Sequence, residues 1–400
     1  MRLEADWLAS APLRAVLDAL DGPGNDTVFF VGGCVRNTLL GQPVADIDLT
    51  TPIEPGEVTR RLEAAGLKAV PTGIEHGTVM AVSGGEGFEI TTFRADVATD
   101  GRRATVRFST DIAVDAARRD FTMNAIYADP AGEIVDPLGG LPDLLARRIR
   151  FIGEPRDRIR EDYLRIPRFF RFTAWYGEAR HGNGGIEPEG LAACAELAEG
   201  IDGLARERIG AEMKKLLAAP DPAPAVAAMA ACGVLARCLP GASAALLAPL
   251  VDLEGKAGVG ADWMARLTAL GAENPARTLR LSRAEAKGLA VIRALLAAPV
   301  PVAIAAHRHG ARAAQAMALL RATKGDSGGD AGGLASLQTE IARGAGAEFP
   351  LLAADLIAAG IRPGPALGVA LEAARTRWLD SDFALDKGEL LAGALAEGRN

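Results

Sequence analysis

The chain has few cysteines, few lysines and no long uninterrupted apolar run, and each scarcity removes a class of protein. Cys34, Cys194, Cys232 and Cys238 form no CxxC pair and have no His nearby in sequence. This argues against a structural zinc site or a disulfide framework and fits reduced, buried thiols in a cytoplasmic protein. The most apolar late stretch, Leu289 to Ala306, is interrupted by Arg293, Pro299 and Pro301, so no membrane span is expected. Glu4, Asp6 and Asp18 stand where a secretory leader would be basic and then apolar. A net charge of −7 is not that of a surface uniformly coated for a polyanion. Aromatic residues are only 5% of the whole.

What is present points to a globular chain of two to three domains. Of 400 residues, 49% are hydrophobic and 24% charged, ample for a core and incompatible with intrinsic disorder or a collagen. Only seven of the 44 basic residues are Lys. Arginine is the better fork for phosphates. It is concentrated: from Leu144 to Arg180 ten Arg face five acidic residues, a local basic surface on an acidic chain.

Periodicity separates two halves. Leu13, Val16, Leu17 and Leu20 repeat at helical spacing after Ser10, an expected N-cap, with Pro12 in the first turn. Thr27–Val31 reads as a buried strand running into Gly32-Gly33, then a short helix over Val35–Leu40. Ala45–Thr50 alternates polar and apolar like a strand with one wet face. Glu57–Ala65 reads as a helix, and Thr78–Val82 and Phe88–Phe93 as strands joined by Ser83–Gly87. Beyond Ile152 no strand is expected. Ile209, Met213, Leu216 and Leu217 form a helical stripe, and the Ala-rich remainder reads as short helices broken by Pro and Gly. Gly325–Gly333 is the expected linker, and Pro363–Gly368 a tight turn. The fold class is therefore α+β: a head with a small mixed sheet (residues 1–143), then an all-helical neck (144–220), body and tail (221–400).

Asp46 and Asp48, two apart on the expected strand, project from one face and suit a divalent cation; a solvated strand face is the plainer reading. Gly32 and Gly33 let the backbone approach a ligand closely, and Arg36 follows within reach of the same group. Arg119-Asp120, within Arg118–Ala125, suits phosphate and hydroxyl contacts, or a surface ion pair of ~0–1 kcal/mol. On one helix Asp162 and Arg165 would be i, i+3 neighbours, with Glu161 one turn before Arg165 and Arg168 one turn after. Tyr163, Ile166 and Phe170 would form a separate apolar stripe. His76 has no His or Cys near it in sequence and is read as structural, as are most downstream Trp and Phe.

The order Gly-Gly-x-x-Arg, DxD, RRDFTxNA and EDxxRxxRxxR resembles the class II nucleotidyltransferases of the polymerase β superfamily, which comprise CCA-adding enzymes and bacterial poly(A) polymerases. The resemblance is strong from Val31 to Phe172 and weaker through Gly200–Glu212, which is similar to the family's neck motif. It implies that Asp46 and Asp48 hold two Mg²⁺ ions, with Glu89 a possible third carboxylate. It implies that Gly33 and Arg36 meet the triphosphate, and Arg119 and Asp120 the sugar and phosphates. Asp162 and Arg165 would read the amino group and ring acceptor shared by C and A, with Arg168 and Arg171 also on the nucleotide. U and G would set a carbonyl against Asp162, a mismatch of ~1–3 kcal/mol. Mobility is expected between Arg94 and Thr110. The implied function is addition of C, C and A to the tRNA 3′ end from CTP and ATP, with tRNA along the neck and body and no membrane or protein partner. The alternatives are an A-adding or poly(A)-adding relative and, more remotely, a non-catalytic RNA-binding relative or a glycosyltransferase using its own DxD.

Two residues depart from the family pattern. Asn37 stands where Asp follows Arg36, which puts the orientation of Arg36 in question. Pro167 falls inside the expected reading helix, where it would cost ~3 kcal/mol and kink the segment, rotating Arg168 and Arg171 away from Asp162 and Arg165.

Overall fold

The computed structural model describes residues 1–22, 27–99, 104–177, 185–325 and 331–397. The chain divides into two compact units, Met1–Pro240 and Gly241–Asn400.

In the first unit, α1 (Ala11–Leu20) buries Leu13, Val16, Leu17 and Leu20 as the stripe requires. Ser10 occupies the N-cap position, but its side chain makes no cap bond and its Oγ is buried without a partner. Next come β1 (Phe29–Val31), α2 (Gly33–Leu39), β2 (Asp48–Thr51), α3 (Pro55–Ala64) and β3 (Lys68–Gly73). The chain continues through β4 (Thr78–Ser83), β5 (Glu86–Thr92), β6 (Arg94–Thr99), β7 (Ala104–Phe108) and α4 (Ile112–Ala117). Two-residue strands β8 (Tyr127–Ala128) and β9 (Ile134–Val135) follow. The main sheet has the order β3-β4-β5-β2-β1-β8-β9, with β2 and β5 parallel and the other neighbours antiparallel. Alternation along β4 and β5 places Val79, Ala81, Phe88 and Ile90 in the core, and the hairpin closes on Gly84-Gly85, both at positive φ. The segment after Arg94 is a β6–β7 hairpin; Asp100, Gly101, Arg102 and Arg103, expected to be mobile, lie outside the described residues.

The expected strand over Ala45–Thr50 is shorter at its start: β2 begins at Asp48, so Asp46 precedes it rather than sharing its pleat.

Helices then take over: α5 (Leu141–Leu145), α6 (Pro155–Glu161), α7 (Arg165–Tyr176), α8 (Pro188–Glu196), α9 (Arg206–Leu217), α10 (Ala223–Ala231) and α11 (Val234–Cys238). No strand follows Val135 among the described residues. Ile209, Met213, Leu216 and Leu217 are all fully buried on α9. The four cysteines are free, three of them buried, and burial pushes the Cys34 thiol up to about 11 and Cys238 to about 12.

The segment expected to form one reading helix is not one helix. It breaks at Asp162–Leu164, where Asp162 is extended (φ −153°, ψ 107°) and its Oδ1 accepts the Leu164 N–H at 3.0 Å. Pro167 therefore lies in the first turn of α7, where backbone N–H groups have no intrahelical partner to lose. The Tyr163 carbonyl takes the Ile166 N–H instead, at 3.1 Å. The expected kink at Pro167 is absent because the proline follows a break, and α7 runs unbroken through it to Tyr176. Stacked Phe151 and Phe169 (5.5 Å) and the Phe121–Phe172 pair (5.0 Å) fasten α7 to the sheet-bearing part.

The second unit is helical: α12 (Leu247–Lys256), α13 (Trp263–Ala269), α14 (Pro275–Thr278), α15 (Arg283–Ala297), α16 (Val302–His309), α17 (Ala311–Ala322), α18 (Ala331–Gly346), α19 (Ala353–Ala358), α20 (Pro365–Asp380) and α21 (Lys387–Glu397). One core gathers Leu250, Ile292, Met317 and Leu320, another Leu356, Trp378 and Leu390. Buried Arg266 donates to Glu254 at 2.7 and 2.9 Å. Of the expected Gly325–Gly333 linker, 326–330 lie outside the described residues, while Gly332 and Gly333 belong to α18. The turn at Pro363-Gly364 separates α19 from α20. No described helix is long and apolar enough to cross a membrane.

Two substitutions test the break. Pro167→Ala should change stability by less than about 1 kcal/mol, against ~3 kcal/mol for a proline in a helix interior. Gly200→Ala would drive a Cβ into the ring of Tyr163, between α6 and α7. It should destabilise by about 1–3 kcal/mol, read as a lower urea midpoint.

Candidate active site

A cleft of about 430 Å³ opens in the first unit, lined by Gly32, Gly33, Arg36, Arg118, Arg119, Asp120 and Asn124 on one side and Asp162, Leu164, Arg165, Arg168, Phe172 and Arg208 on the other. Gly32 turns the chain from β1 into α2 at φ 73°, a conformation that favours glycine. Seven of the ten residues expected at the site therefore share one cavity. Arg171 does not line it, and neither do Asp46 and Asp48.

Arg36 is almost fully buried and far more engaged than a phosphate fork need be. It donates to Asn124 Oδ1 (2.5 Å) and the Tyr176 hydroxyl (2.7 Å), and its guanidinium lies 4.1 Å from the Tyr176 ring centroid. Burial, the largest influence, lowers its pKa from the usual arginine value. The departure at Asn37 leaves this geometry whole. Its Oδ1 accepts from Arg36 Nε (3.2 Å) and Nη2 (3.0 Å), while its Nδ2 donates to the Pro43 carbonyl at 2.9 Å, which a carboxylate could not do.

Arg119 and Asp120 do not pair with each other. Arg118 and Arg119 grip the fully buried Asp115 at 2.7 and 3.0 Å, and the Tyr127 hydroxyl donates to the same carboxylate at 2.8 Å. Burial alone would raise the Asp115 pKa, but the two guanidiniums outweigh it and hold it below the usual range. Asp120 Oδ2 accepts from Arg168 Nε (2.9 Å) and Nη2 (2.6 Å), and its Oδ1 accepts from Asn124 and the Phe121 N–H. Here too the cation and donors overcome burial and lower the pKa.

Asp162 and Arg165 are likewise not partners. Arg165 meets Glu161 at 2.7 Å, as the one-turn spacing expects, and donates to the Arg158 and Arg118 carbonyls. Asp162 instead meets Arg208 of α9 at 2.7 Å. Glu212, one turn farther along α9, accepts from Arg171 (2.5 Å) and stands 3.6 Å from Arg168. Sequence reasoning assigned no role to Arg208 or Glu212, although both lie in the neck motif at i, i+4. Phe172 also lines the cleft, beneath the Arg168 and Arg171 guanidiniums, an exception to reading the downstream aromatics as core alone. His76 is half exposed beside Glu75, far from these groups in sequence.

Asp48 and Glu89 sit opposite each other in the parallel β2–β5 register. Burial first, then Glu89 and Asp46, push the Asp48 carboxyl above its usual value, with Arg119 opposing. Among the described residues no group of three or more His, Cys, Asp or Glu is close enough to hold a metal by itself. Two aspartates with excess negative charge are nonetheless a suitable donor set for a hard cation that completes its shell with water and substrate phosphates.

Residues 28–150 match the family model described as a poly A polymerase head domain, and residues 185–246 that described as a probable RNA and SrmB-binding site of polymerase A. The chain is 43% identical over 194 residues to the mitochondrial CCA tRNA nucleotidyltransferase 1 of Homo sapiens, covering 48% of this chain and 44% of that protein. It is 41% identical over 206 residues to the CCA-adding enzyme of Leuconostoc citreum, covering 51% and 48%. The chain thus spans about half the length of the curated relatives it matches. The crystal structure of the Bacillus stearothermophilus CCA-adding enzyme in complex with CTP superposes with a TM-score of 0.73 at 28% identity, over 98% of each chain. The Thermotoga maritima CCA-adding enzyme complexed with tRNA shares the fold, at TM-score 0.68 and 22% identity over 99% and 96%.

Asp115→Asn should cost about 3 kcal/mol at pH 7, because two guanidiniums lose a buried counter-charge. A depressed carboxylate stabilises the folded state fully only above its unfolded pKa, about 3.9, and the contribution is lost as pH falls through the folded value. The gap between wild type and variant in urea unfolding should therefore narrow below about pH 4; equal midpoints at pH 7 would contradict this.

Proposed function

The chain belongs to the CCA-adding enzyme and poly(A) polymerase family, and on that premise we propose that it adds C, C and A to the 3′ end of tRNA from CTP and ATP, releasing pyrophosphate. The observation that carries this reading is the single cleft where Asp162, Arg165 and Arg168 face Gly33, Arg119 and Asp120, with Asp48 beside Arg119.

The cleft divides by chemistry. Gly32 and Gly33 leave the backbone open to a triphosphate, and Arg119, held by Asp115, supplies a fixed guanidinium there. Arg36 braces this wall through Asn124 and Tyr176 as well as facing the cavity. Arg168, bound to Asp120, sets the sugar side against α7. Asp162 accepts the amino protons of C or A, and the Arg165 guanidinium donates to the neighbouring ring acceptor. U and G present a carbonyl to Asp162, and leaving that buried pair unmatched disfavours them by ~1–3 kcal/mol. Arg171 acts on the nucleotide through Phe172 and Glu212 rather than by lining the cavity.

Asp46 and Asp48 would hold Mg²⁺, which when bound supplies charge neutralisation at the α-phosphate and the departing pyrophosphate and lowers the pKa of the attacking hydroxyl. The head (1–143) carries the transfer chemistry, the neck (144–220) selects the base, and the body and tail (221–400) serve tRNA.

Single nucleotides are offered, with Mg²⁺, to tRNA transcripts ending before CCA, after C and after CC. CTP should extend the first two and ATP the third, and Asp46→Ala/Asp48→Ala should lower the rate by about three orders of magnitude. Extension by ATP alone would make this an A-adding or poly(A)-adding relative, and silence throughout would leave an RNA-binding protein. Because carboxylate repulsion at Asp48 opposes folding, millimolar Mg²⁺ should raise the melting temperature of the wild type and leave the double variant unchanged.

A further inference from the structure

The neck motif contributes a side chain to the base-reading end of the cleft. Arg208, on α9, lines the cavity and donates from Nη2 to Asp162 Oδ2 at 2.7 Å across 46 residues of sequence. The other Asp162 oxygen accepts the Leu164 N–H at the start of α7. Two donors from different elements thus fix the carboxylate in the one stretch, Asp162–Leu164, where neither α6 nor α7 holds the backbone. Asp162 forms no other ion pair among the described residues. Arg168, the next cation of the cavity, is committed to Asp120 and Glu212.

We infer that Arg208 is a positioning residue for base selection: it holds the Asp162 carboxylate in place as a pure acceptor, so that a base with an amino group is taken and one with a carbonyl is refused. The inference rests on the proposed reading of Asp162. An ionised carboxylate has about four acceptor sites. Arg208 and Leu164 use one on each oxygen, leaving the remainder for a ligand. Without Arg208 the side chain keeps only its Leu164 bond and is free to rotate about it, and a rotated or solvated carboxylate no longer opposes the carbonyl of U or G at a fixed distance. Selectivity then falls more than turnover, because Arg208 touches neither the phosphates nor the Asp46 and Asp48 pair. One turn on, Glu212 holds Arg171 and Arg168, so the same face of α9 steadies both ends of the reading segment.

The test compares kcat/KM for CTP and UTP on the transcript ending before CCA, for wild type, Arg208→Lys and Arg208→Gln. The preference for CTP should fall about tenfold or more in the Gln variant and by less in the Lys variant, which retains a cationic donor. The change should appear mainly as improved use of UTP. Adding Arg208→Gln to Asp162→Asn should change the preference no further, since Arg208 acts through Asp162. A uniform loss of activity with the wild-type preference intact, or an added loss in the double variant, overturns the inference and leaves Arg208 a structural brace. If Arg208→Gln does not fold by circular dichroism, the Lys variant decides: a severalfold lower preference supports the inference and an unchanged one overturns it. A wild type silent with every nucleotide instead refutes the proposed function, and this inference with it.

Discussion

The fork between Arg168 and Asp120 is the joint on which the rest of the site depends. Asp120 belongs to the loop after α4, on the sheet side of the cleft. Arg168 belongs to the first turn of α7. Two N–H groups converge on one carboxylate oxygen, and each partner is itself braced, Asp120 by Asn124 and the Phe121 N–H, Arg168 by Glu212. Removing Arg168 leaves the nearly buried Asp120 carboxylate without its counter-charge, a loss of about 3 kcal/mol. The stacked phenylalanines around Phe169 supply the apolar complement, so the two walls meet through both packing and charge.

The same arrangement recurs around the cleft. Asp115 holds Arg118 and Arg119, Glu161 holds Arg158 and Arg165, Arg208 holds Asp162, and Glu212 holds Arg171. The charged residues around the cleft are therefore not free charges waiting in solvent. They are pre-aimed, and a ligand need not supply the entropy of ordering them. Four of the ten arginines between residues 144 and 180, Arg158, Arg165, Arg168 and Arg171, are held in this scaffold.

Where the sequence was legible, it was through local periodicity. The alternation in β4 and β5 and the Ile209–Met213–Leu216–Leu217 stripe of α9 state their buried faces without reference to the rest of the chain. The two-residue strands β8 and β9 carry no period; β8 is defined by pairing with β9 and with β1, nearly a hundred residues earlier. The reading segment misled for a different reason. Its charges recur at three and four residues, which imitates one continuous helix. Pro167 carried the correcting signal, because a proline is tolerated in a first turn, and an Asp a few residues before it is a natural stop between two helices. Of the ion pairs, Glu161 with Arg165 was legible from its one-turn spacing. The partners of Asp120 and Asp162 were not, because nearness in sequence suggested Arg119 and Arg165 while the fold brings Arg168 of α7 and Arg208 of α9 to them.

The central claim is that protein side chains in this cleft select the base. Equilibrium titration of the tRNA-free protein with CTP, ATP, UTP and GTP at one Mg²⁺ concentration tests it most directly, since all four share the triphosphate and ribose. The account predicts that CTP and ATP bind about tenfold or more tighter than UTP and GTP, the span of one unmatched buried hydrogen bond. Four equal affinities would contradict it and place base selection outside the cleft.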